Sequence, residues 1–326
     1  MKVLVSGGAG YIGSHVVRQL QRSGHEAVVL DNLSKGHRQA VKDAILVETD
    51  LLDKAGLARC FAEHRVDAVM HFAARSLVGE SMQMPYEYYE NNVVGSLNLV
   101  KAAMDAGVDK FIFSSTAAVY GEPDEVPIPE TAPKAPLNVY GRTKLMIENM
   151  LEDFSNIYDL RYKALRYFNA AGADAEGDIG EDHTPETHLV PIIFQYVNGR
   201  RDRLCVFGDD YDTPDGTCIR DYVHVTDLAD AHLLALEDLA CGGESCAYNL
   251  GSEAGYSVLE IIRAASEVVG RPIDYDIAPR RPGDPAKLVA SSAKIKAELG
   301  WQPRFGIRDI LASAWRFHKA HPDGYR

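Results

Sequence analysis

The stretch Lys2-Val-Leu-Val-Ser-Gly-Gly-Ala-Gly-Tyr-Ile-Gly13 decides the fold of this chain. Its apolar first half is typical of a buried strand, its glycines of a tight turn, and apolar residues then recur at helical spacing as far as Leu20. Such a strand, turn and helix present backbone N–H groups at the helix N-terminus, where they bind the pyrophosphate of a dinucleotide. The glycine spacing predicts this site whether the motif is read as Gly8-x-Gly10-x-x-Gly13 or as Gly7-x-x-Gly10-x-x-Gly13.

An acidic residue at the expected distance supports the same site. Ala27-Val-Val-Leu30 predicts a second strand, and Asp31 ends it about 20 residues past the glycines. A carboxylate at this position accepts hydrogen bonds from the two ribose hydroxyls of an adenosine and would repel a 2′-phosphate. We therefore expect NAD rather than NADP, although the positive charges of Lys35 and Arg38 nearby would favour a 2′-phosphate.

A tyrosine and a lysine four residues apart predict an acid–base device. On a helix, Tyr140 and Lys144 share one face, and the ammonium is expected to favour the phenolate and to lower the pKa of the tyrosine. The phenolate could then take a proton from a hydroxyl near neutral pH. Taken alone, the same spacing is also that of a tyrosine covering a core and a solvated lysine.

Polar residues at the end of a predicted strand provide a second group for this chemistry. Phe113-Ser-Ser-Thr116 leaves a buried strand, so Thr116 or Ser115 could bind the same substrate hydroxyl as Tyr140. The alternative is a Ser/Thr turn that caps its own backbone.

Composition and charge exclude several classes of protein. With 326 residues, 46% of them hydrophobic, the chain can bury a large core and exceeds most single domains. A net charge of −13 argues against a nucleic-acid partner, and no run of Lys and Arg predicts a membrane partner. The apolar N-terminal run reaches the glycine turn too soon for a signal peptide, and no apolar run approaches the length of a membrane span. We therefore expect an acidic, cytoplasmic enzyme.

The cysteines point to no metal or disulfide framework. There are five, an odd number, and none forms a Cys-x-x-Cys pair. We expect them to be reduced, and we expect no bound metal.

Strand-like and helix-like segments alternate along the first half of the chain. Strands are predicted at 27–30, 44–47, 68–72, 110–113 and 162–167, and helices near 53–64, 87–106 and 138–157. This alternation predicts an α/β fold with a doubly wound, Rossmann-like parallel sheet and a smaller C-terminal α/β substrate domain. We place the NAD-binding domain at 1–169 and the nucleotide-sugar-binding domain at 170–326, with segments near 219–241 packing back on the first.

A set of motifs spans essentially the whole chain. They are Gly7-Gly8-x-Gly10-Tyr11-Ile12-Gly13-Ser14-His15, Asp31-Asn32, His71-Phe72-Ala73-Ala74, Tyr88-Tyr89-x-Asn91-Asn92-Val93, Ser114-Ser115-Thr116-x-x-Val119-Tyr120-Gly121, Tyr140-x-x-x-Lys144, Arg166-Tyr167-Phe168-Asn169 and Arg220-Asp221-Tyr222-Val223-His224-Val225. Together they strongly resemble the UDP-glucose 4-epimerases of the extended short-chain dehydrogenase/reductase superfamily. The glycine and Tyr-x-x-x-Lys motifs identify only the superfamily, whereas the later segments, with Ala278-Pro-Arg-Arg-Pro-Gly-Asp284, narrow it to the epimerases.

The resemblance implies two sets of ligand-binding residues and a homodimer that pairs through the helices near 87–106 and 138–157. NAD is expected to contact Gly7, Gly10, Tyr11, Ile12, Gly13, Asp31, Asn32, Lys35, Gly36, Asp50, Leu51, Phe72, Ala73, Ala74, Ser76, Asn91, Ser114, Tyr140, Lys144, Tyr167 and Phe168. A UDP-sugar is expected to contact Thr116, Tyr140, Asn169, Leu189, Phe207, Arg220, Arg281, Asp284 and Leu288. Arginine offers forked donors that suit a diphosphate.

The resemblance also implies a mechanism with Tyr140, Lys144 and Thr116 as catalytic residues. Tyr140, as phenolate, takes the proton of the sugar 4-hydroxyl while C4 gives a hydride to tightly bound NAD. Lys144 and the positive charge of the cofactor hold the pKa of Tyr140 down, and Thr116 steadies the 4-hydroxyl. The 4-keto sugar then rotates, and the hydride returns to its opposite face.

Three positions depart from the pattern of relatives. Ser76 stands after the Phe72-Ala-Ala turn where many relatives have a second lysine, which removes a positive contact to the cofactor. Leu288 stands where some relatives have a bulky tyrosine, which leaves room for an N-acetyl group, so UDP-GlcNAc and UDP-GalNAc become possible substrates. His188 replaces an asparagine and, as a lone histidine, is interpreted as a packing or hydrogen-bonding residue.

Other functions stay open to different degrees. A 4-epimerase for UDP-pentoses or UDP-uronic acids is the closest alternative. A sugar-nucleotide 4,6-dehydratase needs an acid–base pair just after Thr116, where this chain has Ala117-Ala118. A nonenzymatic NAD sensor has no need of Thr116, Tyr140 and Lys144 together.

Overall fold

The structure, a computed structural model, describes residues 1–281 and 285–325. Its strands are β1 (Lys2–Ser6), β2 (Glu26–Asp31), β3 (Ile45–Glu48), β4 (Ala68–His71), β5 (Lys110–Ser114), β6 (Arg161–Tyr167), β7 (Asn169–Ala171), β8 (Cys205–Phe207), β9 (Ile219–Arg220), β10 (Tyr222–His224), β11 (Cys246–Leu250), β12 (Tyr256–Ser257), β13 (Asp276–Ala278) and β14 (Lys287–Leu288).

The helices alternate with these strands. They are α1 (Tyr11–Arg22), α2 (Lys54–His64), α3 (Val78–Ser81), α4 (Pro85–Tyr88), α5 (Gly95–Asp105), α6 (Val139–Ile157), α7 (Leu189–Val197), α8 (Val225–Ala240), α9 (Val258–Val269), α10 (Ala293–Leu299) and α11 (Ile307–Ala320). None of the helices within the described ranges has the length and apolar content needed to cross a bilayer.

Seven strands form one parallel sheet in the order β11-β6-β5-β4-β1-β2-β3. Alternate residues of each strand face opposite sides, so Val3 and Val5 pack with α1 and α8, whereas Leu4 packs with α2, α5 and α6. The strand order reverses between β1 and β4, where a crevice opens at the carboxyl edge. The predicted doubly wound fold is confirmed.

The helix predicted near 87–106 is not one regular α-helix. It consists of α4, a π-helical segment at Tyr89–Val94, and α5. Within the π segment the Asn92 side chain donates to the carbonyl of Arg75 at 3.0 Å and to Thr143 Oγ1 on α6 at 3.1 Å. The wide turn thus coincides with a side chain that ties this helix to the carboxyl edge of the sheet and to α6.

Beyond Asn169 the chain builds smaller sheets and a second core. The pairs β7 with β10 and β8 with β13, and the triple β12-β9-β14, are all short, and α7, α9 and α11 enclose a core of their own. Two later elements nevertheless belong to the first part of the fold. Strand β11 joins the main sheet by pairing with β6, and helix α8 packs on α1. The domain boundary at 169 and 170 stays a prediction.

Candidate active site

Helix α6 carries Tyr140 and Lys144 on its first two turns. The helix begins at Val139 because Asn138 caps it, with Asn138 Oδ1 accepting the N–H of Gly141 at 2.8 Å. Lys144 is almost completely buried, and its Nζ donates to the carbonyl of Ser114 at the end of β5 over 2.7 Å. The predicted pair therefore lies at the carboxyl edge of the sheet.

Lys144 lies between two aromatic rings. Its Nζ is 4.8 Å from the ring centre of Phe113 and 5.9 Å from that of Tyr140. Burial lowers the pKa of Lys144 to about 7, and the charge of Glu148 one turn along the helix opposes this shift. In the protein alone, the ammonium form of Lys144 is therefore less favoured than it would be in water.

Thr116 is the polar residue of its strand end that meets the tyrosine. Its interaction with the Tyr140 side chain favours the phenolate, and Thr116 Oγ1 accepts the N–H of Ala118 at 3.1 Å. The Ser/Thr turn considered as an alternative is therefore present as well. Ser115, the other candidate, donates instead to Glu148 Oε1 at 2.6 Å.

The expected lowering of the Tyr140 pKa is wrong for the protein alone. Burial raises the pKa of Tyr140 to about 12, and the interaction with Thr116 only reduces that rise. The reason is desolvation, since the phenol lies among protein groups that solvate a negative charge poorly. The spacing of Tyr140 and Lys144 could not reveal how deeply both would be buried.

A buried ion pair holds α6 on the sheet, and the sequence reasoning missed its role. Arg166 of β6 donates to both carboxylate oxygens of Glu148, at 2.8 Å from Nε and 2.6 Å from Nη2. The Arg166 Nη1 donates to the Tyr120 hydroxyl at 2.7 Å, which in turn donates to Asn249 Oδ1. A glutamate four residues after Lys144 was the available signal, but its partner is distant in sequence.

The glycine turn packs so closely that Gly7 and Gly13 have no room for a side chain. Gly7 has φ +75°, and a Cβ on it would lie 2.4 Å from the nitrogen of Ala73; a Cβ on Gly13 would lie 2.2 Å from the carbonyl oxygen of Gly7. Helix α1 begins after Gly10 with no side-chain cap. Its first N–H groups and dipole are suited to a pyrophosphate, with Tyr11 and Ile12 as the first helical residues.

Asp31 is held against this turn. Its carboxylate accepts the N–H of Ala9 at 3.0 Å and the N–H of Leu33 at 2.8 Å, while burial raises its pKa. A carboxylate has about four acceptor positions, so two remain for ribose hydroxyls. Next to it, Asn32 Nδ2 donates to Asp50 Oδ2 at 2.7 Å and joins the loops after β2 and β3. These residues fit a dinucleotide.

The other residues predicted to contact NAD lie around the same edge. Phe72 and Ala73 donate their N–H groups to the carbonyl of Ser6, and Ser114 Oγ is 2.5 Å from the Tyr167 hydroxyl. The rest are Lys35, Gly36, Leu51, Ala74, Ser76, Asn91 and Phe168, of which Ser76 is exposed and Leu51 buried. Their contact with NAD stays a prediction.

Residues predicted for the sugar nucleotide approach from the smaller sheets. Leu288 is in register with Arg220, and it packs with Phe168 on the segment that follows Thr116. Asn169 Nδ2 donates to the carbonyl of Asp221 at 2.9 Å.

Two more of these residues meet each other. The guanidinium of Arg281 lies 4.1 Å from the ring centre of Phe207, and Leu189 is the first residue of α7. Asp284 lies outside the described residues.

Comparison with known proteins identifies relatives along the whole chain. The model of the NAD dependent epimerase/dehydratase family matches residues 3–251. The UDP-glucose 4-epimerase of Halalkalibacterium halodurans is 53% identical over 326 residues, which are 100% of this chain and 98% of that protein. The UDP-glucose 4-epimerase from Brucella ovis, solved in complex with NAD, has a TM-score of 0.95 at 47% identity, covering 97% of this chain and 98% of that one. The UDP-Glc/GlcNAc 4-epimerase from Campylobacter jejuni has a TM-score of 0.85 at 45% identity, covering 98% and 99%.

The depressed pKa of Lys144 predicts how stability depends on pH. Between pH 7 and 10 the unfolded chain holds a proton on Lys144, whose ordinary pKa is 10.5, whereas the folded NAD-free protein does not. The free energy of unfolding should therefore rise with pH relative to that of Lys144→Met, by at most about 1.4 kcal/mol per pH unit. Urea unfolding at several pH values measures this. Lys101→Met, on the exposed face of α5, should run parallel to wild type. A Lys144→Met profile parallel to wild type would contradict the assigned pKa.

Proposed function

We propose that this chain, which belongs to the NAD dependent epimerase/dehydratase family and within it to the UDP-glucose 4-epimerases, interconverts UDP-glucose and UDP-galactose. NAD is its cofactor. The observation that carries the proposed chemistry is the placement of Tyr140 and the buried Lys144, whose Nζ lies 5.9 Å from the Tyr140 ring centre, beside the strand end that carries Thr116 and at the edge where the glycine turn also lies. Incubating pure protein with UDP-galactose and following UDP-glucose tests the activity directly.

The proposed roles follow from the contacts of each residue. Bound NAD supplies the group that accepts and returns a hydride, and with it a positive charge beside the phenol. Because burial raises the pKa of Tyr140 to about 12, Tyr140 becomes a base only when positive charge lies next to it, and Lys144, whose Nζ is 5.9 Å from the Tyr140 ring centre, can provide one. The interaction of Thr116 with Tyr140 favours the phenolate, and Thr116 would share the proton of a substrate hydroxyl.

The substrate is proposed to lie between Tyr140 and the smaller sheets. Arg220 and Arg281 are the proposed ligands of the diphosphate, since their guanidinium groups can each offer two parallel donors. Leu288 and Phe168 both pack on the segment after Thr116, and we propose that they form a wall near the sugar. Ala117 and Ala118 carry no group that could transfer a proton, which argues against a dehydratase.

Removing the Tyr140 hydroxyl should abolish most of the activity. Tyr140→Phe keeps the ring and its packing but lacks the proton acceptor, so turnover of UDP-galactose should fall by at least ~10²-fold with folding and NAD content intact. Tyr158→Phe, which removes an exposed tyrosine hydroxyl at the C-terminal end of the same helix, is the control and should keep wild-type turnover. Turnover of Tyr140→Phe within a few-fold of wild type would show that another group is the base.

Substrate breadth should depend on the size of residue 288. We propose that the enzyme also interconverts UDP-GlcNAc and UDP-GalNAc, because leucine leaves more room than tyrosine and because a relative with 45% identity is a UDP-Glc/GlcNAc 4-epimerase. Leu288→Tyr should suppress the N-acetylated reaction by roughly 1–3 kcal/mol in kcat/KM while sparing the simple hexoses. Leu288→Met conserves volume and should keep both.

A panel of UDP-sugars separates this proposal from the nearest alternatives. If wild type consumes UDP-galactose but not UDP-GalNAc, residue 288 does not control access of the acetamide. Faster turnover of a UDP-pentose or a UDP-uronic acid than of UDP-galactose would move the proposal to those substrates.

We further propose a homodimer that pairs through α4, α5 and α6. Large apolar side chains are exposed on or beside these helices, among them Tyr86, Val94, Leu97 and Met146. A second copy of the chain would bury them in a twofold interface, which is the commonest form of oligomer. Light scattering at micromolar concentration should give twice the chain mass of 35.8 kDa, and a monomer would contradict the proposal.

The proposed location is the cytoplasm. All five cysteines are free, as a reducing compartment requires. Recovery of the native protein mainly in a secreted or membrane fraction would overturn this.

A further inference from the structure

Four side chains of one loop converge ahead of α7. Glu181, His183, Glu186 and His188 follow the spacing Glu-x-His-x-x-Glu-x-His, and one ligand atom from each lies within 4.8 Å of the others. Both glutamates are buried and both histidines are partly buried. His188 is therefore not the lone histidine that the sequence suggested.

The distances within this cluster, Glu181, His183, Glu186 and His188, are close to those of ligands around one small cation. The Nδ1 atom of His188 is 2.8 Å from Glu181 Oε1 and 3.1 Å from Glu186 Oε1. The Nδ1 atom of His183 is 3.2 Å from Glu181 Oε1 and 3.6 Å from Glu186 Oε2. Ligands at about 2.0–2.2 Å from a tetrahedral metal are roughly 3.3–3.6 Å apart, so a small contraction or expansion reaches that geometry.

Two atoms aimed into the cluster lack a hydrogen bond. His183 Nδ1 and Glu186 Oε2 are buried with no hydrogen-bond partner among the described residues, although they face each other. Glu186 is 6% exposed, and its other oxygen already accepts the N–H groups of Thr187 and His188 at 2.8 and 2.9 Å. Backbone N–H groups thus orient the carboxylate through Oε1, and Oε2 is left available to bind a cation.

We propose that Glu181, His183, Glu186 and His188 bind one divalent transition-metal ion, with Zn²⁺ as the best fit. Two borderline imidazole nitrogens with two carboxylate oxygens form a mixed donor set that Zn²⁺ accepts, whereas Mg²⁺ and Ca²⁺ prefer sites built of oxygen alone. The two carboxylate charges balance the charge of the ion. Four protein ligands leave no open position, so the ion is structural rather than catalytic.

The site would fix the loop against the cofactor side of the sheet. The Tyr11 ring meets the His183 ring edge-on at 6.3 Å between centres, and Lys35 Nζ donates to the carbonyl of Thr184 at 2.7 Å. Tyr11 is the first residue of α1, directly after the glycine turn, and Lys35 lies on the loop after β2. A metal at residues 181–188 would therefore join the second half of the chain to the first, independently of which substrate the enzyme uses.

The competing explanation is a pair of imidazolium ions bonded to two carboxylates, with no metal. Measuring the metal content of the protein decides between the two explanations and needs no substrate. A negative result for the metal site is therefore distinguishable from a failure of the proposed epimerase activity. Tag-free full-length protein is incubated with equal amounts of Zn²⁺, Co²⁺, Mn²⁺ and Mg²⁺, desalted, and analysed by plasma mass spectrometry. We expect about one Zn²⁺ per chain and no Mg²⁺, with a melting temperature that falls when a chelator removes the ion.

Variants locate the ion. Glu186→Gln/His188→Gln should weaken Zn²⁺ binding by more than about 100-fold, beyond the loss typical of residues that only orient ligands. The control Glu63→Gln/His64→Gln removes a carboxylate and an imidazole on α2 and should bind like wild type. If the double variant does not fold, His183→Gln, whose side chain is 27% exposed, takes its place.

Two results would overturn the proposal. One is wild-type protein that retains far less than one equivalent of Zn²⁺ and shows no tetrahedral spectrum when loaded with Co²⁺. The other is equal Zn²⁺ content in wild type and in the cluster variants.

Discussion

The attachment of α6 to the sheet is the constraint on which the proposed site depends. Two side chains one turn apart hold the helix from two different strands, since Lys144 bonds the carbonyl at the end of β5 and Glu148 pairs with Arg166 of β6. Removing one partner of such a buried pair is strongly destabilising, typically by about 3–5 kcal/mol. With both contacts in place, the register of the helix is fixed and Tyr140 lies on the side that faces Thr116.

The same attachment places Lys144 and Tyr140 where their charged forms are disfavoured, and this affects the proposed chemistry. Lys144 is buried beside two aromatic rings, and burial moves the pKa values of Lys144 and Tyr140 in opposite directions, to about 7 and about 12. Both shifts favour the neutral forms, so the protein alone does not hold a phenolate–ammonium pair. A cation arriving next to the phenol would reverse that preference, which couples the state of the base to occupation of the groove.

Sequence patterns predicted the elements whose causes are local and missed those whose causes are distant. The glycine turn, Asp31 at the end of β2, and Tyr140 with Lys144 on α6 each follow from spacing within one segment, and the parallel sheet follows from alternation. The π segment at Tyr89–Val94 depends on contacts of Asn92 across the fold, and the Glu148–Arg166 pair joins residues 18 apart. For the protein without NAD, the expected effect of Lys144 on the pKa of Tyr140 has the wrong sign, because spacing carries no information on burial.

The cluster at residues 181–188 is another feature that sequence patterns did not predict. A histidine is a weak signal when it is considered alone, but Glu181, His183, Glu186 and His188 fall within eight residues, and only the loop before α7 folds them onto one point. Leaving two carboxylates together in a buried place is unfavourable unless cations accompany them. The loop therefore needs either two protonated imidazoles or a metal ion, and in both cases positive charge holds it beneath Tyr11 and Lys35. The groove for the dinucleotide is thus shaped from both halves of the chain, by the glycine turn on one side and by this charged loop on the other.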